Sequence, residues 1–296
     1  MSSEAFVLFM SVGLFIEKNI VLVIINRISH MNCNGGIMIT STANSQIKHL
    51  VLLMKKAKAR KEEGVFIVEG RKMFEEAPRA WIQKVYVAES FLQEEMHKHL
   101  LDGIEYEVLS DSVFKAVSDT QTPQGILTVV SMPEWNETEV LVKENGCYLF
   151  LESIQDPGNL GTMLRTGEGA GITAVIANQT TVDLYNPKTV RSTMGSIYRV
   201  PFIVAEDFYG RITDMQKKGV KFYAAHLKES QMYDAFDYQG ACAFLIGNEG
   251  NGLTEKTADA ADAYIKIPME GNVESLNAAI AATILMYEVN RQRRGR

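Results

Sequence analysis

The chain has 296 residues, enough for one large domain or two ordinary ones. It is 46% hydrophobic and 22% charged, as an ordinary globular protein is, and its net charge of -6 argues against a general polyanion binder without excluding local basic patches. The three cysteines lie far apart without a CxxC pair, which indicates a reducing compartment, the cytoplasm. Neither they nor the five histidines have metal-ligand spacing, so no metal is expected.

The first 37 residues differ in pattern from the rest of the chain. Their apolar runs, 5–16 and 20–25, are both shorter than the roughly 20 residues that span a bilayer, and no membrane role is expected. A signal peptide is an alternative interpretation of these runs, although no clear cleavage site with small residues follows them. Residues 35–38 can be encoded as a purine-rich ribosome-binding sequence and a start codon. We therefore expect translation to start at Met38 and treat residues 1–37 as an extension of doubtful translation.

Residues 38–131 are predicted to form a small domain of alternating helices and strands. Ile47, Leu50, Val51 and Met54 have helical spacing, and the stretch 44–61 holds six Lys or Arg and no acidic residue. The polar segment 132–145 is typical of a linker. A second domain is then expected over residues 146–296.

The second half predicts a parallel α/β sheet with helices on both faces, because apolar strands alternate with helix-like segments. Ligands of such sheets usually bind at the carboxyl ends of the strands. The expected strands are 147–154, 172–178, 199–206, 221–227, 241–249 and 263–269. The expected helices are 161–171, 186–194, 208–218, 253–260 and 276–291.

Three polar loops with glycine follow strands and are predicted to share this edge. The first, "DPGNLGTMLRTGEGAG", predicts a turn at Asp156-Pro157-Gly158 with Asn159 as a helix cap. The others are "IGNEGNGL" and "IPMEGNVESLNAAIAA". Each alone fits a plain turn or cap, but together they indicate a ligand site. A P-loop enzyme is disfavoured, because the Lys-Ser/Thr pair is missing and "GEGAG" is not GxGxxG.

These three segments resemble the signature motifs of the SpoU (TrmH-type) RNA ribose 2'-O-methyltransferases of the SPOUT superfamily. "VRSTMGSIYRVPF" resembles the segment between the family's motifs, and "ITSTANSQIK", "FIVEG" and "TPQGIL" resemble its N-terminal substrate-binding domain. The resemblance covers Met38–Arg296. It implies a trefoil knot in the C-terminal domain, an RNA-binding N-terminal domain and a homodimer formed through the C-terminal domain.

The resemblance also implies the cofactor, S-adenosylmethionine, and the positions that hold it. By motif match these are Gly247, Ile267 and Leu276, with Met269 nearby. The third motif ends in an alanine-rich helix, which suits either close packing against the knot or a second subunit, or plain helix propensity.

The catalytic residues come from the same motifs. Arg165 matches the family's proposed catalytic arginine, and it suits a phosphate clamp better than a base because a guanidinium group keeps its proton in proteins. Asn159, Ser275 and Asn277 are expected to orient the hydroxyl. Glu249 is expected either to orient Arg165 or simply to cap a helix.

Two basic segments are candidates for RNA binding, and either one is also consistent with a solvated face. The first, called the basic segment below, comprises Lys55, Lys56, Lys58, Arg60 and Lys61. The second is the arginine-rich tail, Arg291, Arg293, Arg294 and Arg296. The function predicted is methyl transfer to a ribose 2'-hydroxyl of ribosomal RNA, or of transfer RNA. The alternative is a catalytically silent RNA-binding protein of the same fold that acts in ribosome assembly.

Overall fold

A computed structural model describes residues 38–141, 143–226 and 230–294. The extension expected over residues 1–37 lies outside the described residues, as does the last arginine of the tail. Within the described ranges, no helix is long and apolar enough to cross a membrane. The same ranges contain no group of three or more His, Cys, Asp or Glu side chains that could hold a metal ion.

The first half folds around a four-stranded sheet in the order β1-β4-β2-β3. Strands β1 and β2 both run antiparallel to β4, whereas β2 and β3 are parallel. The strands are β1 (Val65–Glu69), β2 (Ile82–Ala88), β3 (Tyr106–Leu109) and β4 (Ile126–Ser131). The helices are α1 (Ser45–Lys55), α2 (Ala57–Glu63), α3 (Arg71–Glu76), α4 (Glu95–Leu100), α5 (Asp111–Val117) and α6 (Glu137–Val140).

Helix α1 forms where the apolar spacing predicts it. The side chain of Asn44 accepts a hydrogen bond from the Gln46 amide and caps the helix. The buried face contains Ile47, Leu50 and Met54 as expected, with Leu53 in addition.

The second half contains a seven-stranded sheet in the order β7-β6-β5-β10-β8-β11-β9, in which all pairings are parallel. The expected parallel α/β sheet is confirmed. Its strands are β5 (Cys147–Leu151), β6 (Ala174–Ala177), β7 (Phe202–Val204), β8 (Lys221–Ala225), β9 (Gln231–Met232), β10 (Cys242–Ile246) and β11 (Ala263–Lys266). Its helices are α7 (Pro157–Ala170), α8 (Pro187–Thr193), α9 (Phe208–Lys217), α10 (Glu255–Asp259) and α11 (Ala278–Arg294).

The start of α7 differs from the sequence prediction. The prediction of a turn at residues 156–158 with Asn159 as the helix cap is wrong. Pro157 is the first residue of the helix, and the side chain of Asp156 caps it by accepting from the Asn159 amide at 2.8 Å. Proline suits this position because the first helical residue needs no amide donor. Asn159 consequently lies inside the first turn, with its side chain free to contact other loops.

The two sheets share a hydrophobic core. Phe66, Val68 and Val130 of the first sheet belong to the same buried cluster as β5 and β10. The Phe66 ring lies 5.0 Å from that of Tyr185, and the Tyr198 hydroxyl donates to the carbonyl of Met73 at 2.9 Å. Burial of these aromatic groups holds the two halves in a fixed arrangement.

Candidate active site

The carboxyl ends of β5 and β10 form the centre of the candidate site. The two strands pair in parallel as far as Ile246 and Leu151, so the loops that follow them leave the sheet side by side. The side-chain amide of Asn248 donates to the carbonyl of Ser153 at 2.9 Å and joins the two loops. The third polar loop begins at β11, which β8 separates from β10, and it ends at Asn277.

Asn159 connects side chains from all three polar loops. Its Nδ2 donates to Oε1 of Glu249 at 3.0 Å, and its Oδ1 accepts from Nδ2 of Asn277 at 3.0 Å. Because a carboxylate only accepts hydrogen bonds, Glu249 fixes which way the Asn159 amide points. Oδ1 of Asn277 accepts from the amides of Ala279 and Ile280, so Asn277 also caps α11. The structure therefore brings together three of the five predicted catalytic residues.

Glu249 caps the two residues that lead into α7. Its two carboxylate oxygens accept from the amides of Gln155 and Asp156, each at 3.0 Å. Burial alone would raise the pKa of Glu249, but the hydrogen bonds from Asn159 and from these amides outweigh it and lower the pKa. The structure shows the capping contacts of Glu249, and its role in orienting Arg165 stays a prediction.

Gly247 has no room for a side chain. A Cβ at this position would lie 2.1 Å from the carbonyl carbon of Gly252 and 2.2 Å from the nitrogen of Leu253. The close approach arises because Asn248 and Gly252 exchange two backbone hydrogen bonds, of 3.0 and 2.9 Å, which fold the loop back on itself. Glycine is therefore required here by the path of the loop.

The loop between β11 and α11 leaves its backbone available to a ligand. Residues 268–276 form no backbone hydrogen bond with other described residues. Ile267, Met269 and Leu276 are half-buried along this stretch. Exposed amides and carbonyls beside partly buried apolar side chains suit a flat, polar-edged ring such as adenine.

Arg165 and Ser275 stand apart from the Asn159 network. Both are exposed, and neither side chain has a hydrogen-bond or ion-pair partner within the ranges that the structure describes. Arg165 follows Asn159 by six residues, which places it about 9 Å further along the helix axis and about 120° around it. The guanidinium is thus displayed to solvent, where a phosphate can reach it.

Several polar contacts that organise these loops could not be predicted from the sequence. The Gln155 side chain donates to the carbonyl of Thr180 at 2.8 Å, and the Val182 amide donates to the carbonyl of Ile154 at 2.8 Å. Ser153 adopts a φ of 58°, uncommon for a residue other than glycine. These contacts join the loop after β6 to the loop after β5, and only knowledge of strand order could have revealed them.

The basic segment divides into exposed lysines and one buried arginine. Lys55, Lys56, Lys58 and Lys61 are exposed, and only Lys58 has an ion-pair partner in the described chain, Glu62 at 3.7 Å. By contrast, the Arg60 side chain is 4% exposed. The prediction of Arg60 as a phosphate contact is therefore wrong, because burial and internal hydrogen bonds occupy its guanidinium.

The described part of the arginine-rich tail is largely engaged with the protein. Arg293 donates to the carbonyls of Tyr238, Asn145 and Gly240 at 3.1, 2.8 and 2.8 Å. Arg291 forms an ion pair with Glu288 at 2.7 Å. These contacts anchor the last helix and make Arg291 and Arg293 poorer RNA candidates than the lysines.

Comparison with known proteins identifies the family. The profile described as "SpoU rRNA Methylase family" matches residues 146–287, and that of the "MRM3-like substrate binding domain" matches residues 44–128. The chain is 35% identical over 253 residues to the 23S rRNA (guanosine(2553)-2'-O)-methyltransferase RlmP of Bacillus subtilis (strain 168), covering 85% of this chain and 98% of that protein. The chain belongs to the SpoU methylase family.

Other relatives agree with this assignment. The crystal structure of the AdoMet bound rRNA methyltransferase from Sinorhizobium meliloti is 30% identical with a TM-score of 0.75, covering 86% of this chain and 97% of that one. The putative TrmH family tRNA/rRNA methyltransferase of Staphylococcus aureus (strain MSSA476) is 28% identical over 221 residues, covering 72% of this chain and 89% of that protein. The SpoU resemblance, the α/β class and the RNA methyltransferase function predicted from the sequence are confirmed, while the knot stays a prediction.

Proposed function

We propose that this SpoU-family protein transfers the methyl group of S-adenosylmethionine to a ribose 2'-hydroxyl of large-subunit ribosomal RNA. The observation that carries the proposal is the hydrogen-bonded junction of Glu249, Asn159 and Asn277, which unites the three loops expected to form the site. The Bacillus subtilis relative, named for a guanosine of 23S rRNA, supports ribosomal over transfer RNA.

The residues at the junction fit the cofactor. The tight turn at Gly247 and the backbone of residues 268–276, which bonds to no other backbone in the described ranges, provide a polar-edged cradle, with Ile267, Met269 and Leu276 as its apolar contacts. When bound there, S-adenosylmethionine supplies an electrophilic methyl group. The knot expected for this fold would keep the cradle rigid.

The chain's own polar groups then position the RNA. Arg165 binds the phosphate next to the reacting ribose and stabilises negative charge on its oxygen, since a planar guanidinium offers two parallel donors. Ser275, exposed in the loop of residues 268–276, donates to or accepts from the 2'-hydroxyl. Asn159, Asn277 and Glu249 act by holding these loops in place, because their polar atoms already bind one another.

The division of labour follows the two halves of the chain. We propose that residues 38–131 bind RNA through Lys55, Lys56, Lys58 and Lys61, and that residues 146–296 bind the cofactor. A homodimer in the cytoplasm is part of the proposal. The homodimer is supported by apolar side chains left exposed on and before α11. These are Val273, Ile280 and Tyr287, which are 61%, 49% and 43% exposed.

A transfer assay tests the function directly. Purified protein, S-adenosylmethionine with a labelled methyl group and protein-free ribosomal RNA should yield labelled RNA, and nuclease digestion should release a 2'-O-methylated nucleoside. Labelling of transfer RNA and not of ribosomal RNA would show that the substrate is transfer RNA. Binding of RNA without any transfer would support the alternative, a silent ribosome-assembly protein.

A further inference from the structure

The partly buried ion pair between Arg60 and Asp183 connects the two halves of the molecule. Arg60 lies in α2, within the basic segment, and Asp183 lies in the loop between β6 and α8. Their contact joins Nη2 of Arg60 to Oδ2 of Asp183. The arginine side chain is 4% exposed and the aspartate side chain 33%. The pair is therefore shielded on the arginine side and reachable by solvent on the other.

On the RNA-binding side, Arg60 holds both helices that carry the exposed lysines. Its Nη1 donates to the carbonyls of Leu53 and Met54 at 2.6 and 3.1 Å, which are in the last turn of α1. A cation at the C-terminal end of a helix is favoured by the helix dipole. Lys55 ends that turn and Lys56 follows it, while Lys58 and Lys61 share α2 with Arg60.

On the catalytic side, Asp183 belongs to a loop that is bonded to the candidate site. The preceding residue, Val182, donates to the carbonyl of Ile154 at 2.8 Å. The next residue after Ile154 is Gln155, whose amide donates to Glu249 at 3.0 Å. Glu249 in turn accepts from Asn159, so a short chain of contacts leads from the lysine-bearing helices to the loop junction.

We propose that Arg60 and Asp183 are positioning residues that set the distance and angle between the RNA-binding lysines and the methyl-transfer site. The proposal rests on the function proposed above. Pairing a buried arginine with a partly exposed aspartate adds little net stability compared with apolar side chains of similar size, so a geometric role accounts for the pair better than a stabilising one. The Nε of Arg60 is moreover buried without a hydrogen-bond partner in the described chain, a cost that packing alone does not require.

Breaking the ion pair is expected to change the rate of methyl transfer and not the affinity for RNA. The lysines stay on the surface when the pair is broken, so the phosphate contacts that supply RNA affinity persist. The tilted ring contact of Phe66 and Tyr185 still holds the halves together. A ribose misplaced by about 1 Å, however, lowers the rate of a positioned reaction by about 100-fold.

The test measures three quantities on the full chain with protein-free ribosomal RNA. These are the single-turnover transfer rate at saturating RNA, the RNA dissociation constant and the S-adenosylmethionine dissociation constant. We expect Asp183→Asn and Arg60→Met to lower the rate by about 10- to 100-fold and to leave both dissociation constants unchanged. The double variant should be no slower than the slower single variant, because residues that act as a unit are not additive.

The matched control is Asp119→Asn. Asp119 forms an exposed ion pair across the same two halves, with Arg191 at 2.7 Å, and this variant should keep the wild-type rate. An unchanged rate in folded Asp183→Asn would overturn the proposal, as would equal losses in Asp119→Asn. A lower melting temperature with an unchanged saturating rate would assign the pair a purely stabilising role. If wild-type protein transfers no methyl group, the proposed function fails instead, which is a separate outcome.

Discussion

Substitution of Gly247 by alanine tests the shape of the second loop. The added Cβ would lie 2.1 to 2.3 Å from three backbone atoms of Gly252 and Leu253, so the two arms of the loop must separate by close to 1 Å. Overpacking of this kind costs about 1–3 kcal/mol. Separation of the arms also breaks the two backbone hydrogen bonds between Asn248 and Gly252, which contribute about 0.5–1.5 kcal/mol each.

The sum is about 2–6 kcal/mol against the loop geometry that binds the cofactor. Since 1.4 kcal/mol corresponds to a tenfold change in equilibrium, affinity for S-adenosylmethionine should fall by at least about 25-fold. Isothermal titration calorimetry measures the affinity, and circular dichroism confirms that the remainder of the protein stays folded.

Gly250 in the same loop provides the control. A Cβ there would meet only the Asn248 side chain, at an ordinary 3.5 Å, and Gly250→Ala should bind the cofactor like the wild-type protein. Wild-type affinity in Gly247→Ala would refute the account of this loop, and so would an equal loss in both variants.

Three further predictions concern the arginine, the carboxylate and the lysines. Arg165→Ala should abolish methyl transfer with cofactor affinity intact, and Arg165→Lys should remain slow because an ammonium lacks the two-point contact; fast turnover in the lysine variant would indicate simple charge. Because the pKa of Glu249 is lower in the folded than in the unfolded protein, its ionised carboxylate stabilises the folded state. This stabilisation is fully present above the unfolded-state pKa of about 4.3 and is lost as pH falls through the folded-state pKa. Melting curves of wild type and Glu249→Gln should therefore differ at pH 7 and converge in acid, and a constant difference would contradict this. Replacement of the four exposed lysines by alanine should reduce the slope of log RNA affinity against log salt by about one for each phosphate that the variant no longer binds; an unchanged slope would exclude this surface. The four are Lys55, Lys56, Lys58 and Lys61.

The sequence predicted the architecture of the second half well because the signals there are local. Buried strands such as 147–151 and 242–246 are continuously apolar, and their alternation with helices permits few arrangements. The motif loops could be located for the same reason, since each follows a strand directly. Helix starts were harder to place, and the proline at the first position of α7 suggested a turn.

The interface between the halves could not be predicted from local pattern. Arg60 sits among lysines in the sequence, and nothing in its neighbours indicates that it turns inward to Asp183, 123 residues away. Similarly, Phe66 and Val130 look like ordinary strand residues of a small domain, yet they pack in the core of the second sheet. Contacts of this kind depend on how two sheets meet, which no periodicity encodes.

The shared core also affects how the division of labour is tested. Separating residues 38–131 from residues 146–296 would expose Phe66, Val130 and their partners to water. The isolated halves are therefore unsuitable for binding experiments. Point substitutions in the full chain, such as those at the lysines and at Asp183, keep this core intact.

Mapping ribose methylation in the native organism tests the central claim most directly. Ribosomal RNA from a strain lacking the gene, compared with the parent, should lose resistance to alkaline cleavage at one nucleotide, since a 2'-O-methyl group blocks attack by the ribose oxygen. The wild-type gene should restore the resistance, and the Arg165→Ala gene should not. An identical cleavage pattern in parent and deletion strains, or restoration by the Arg165→Ala gene, would contradict the account.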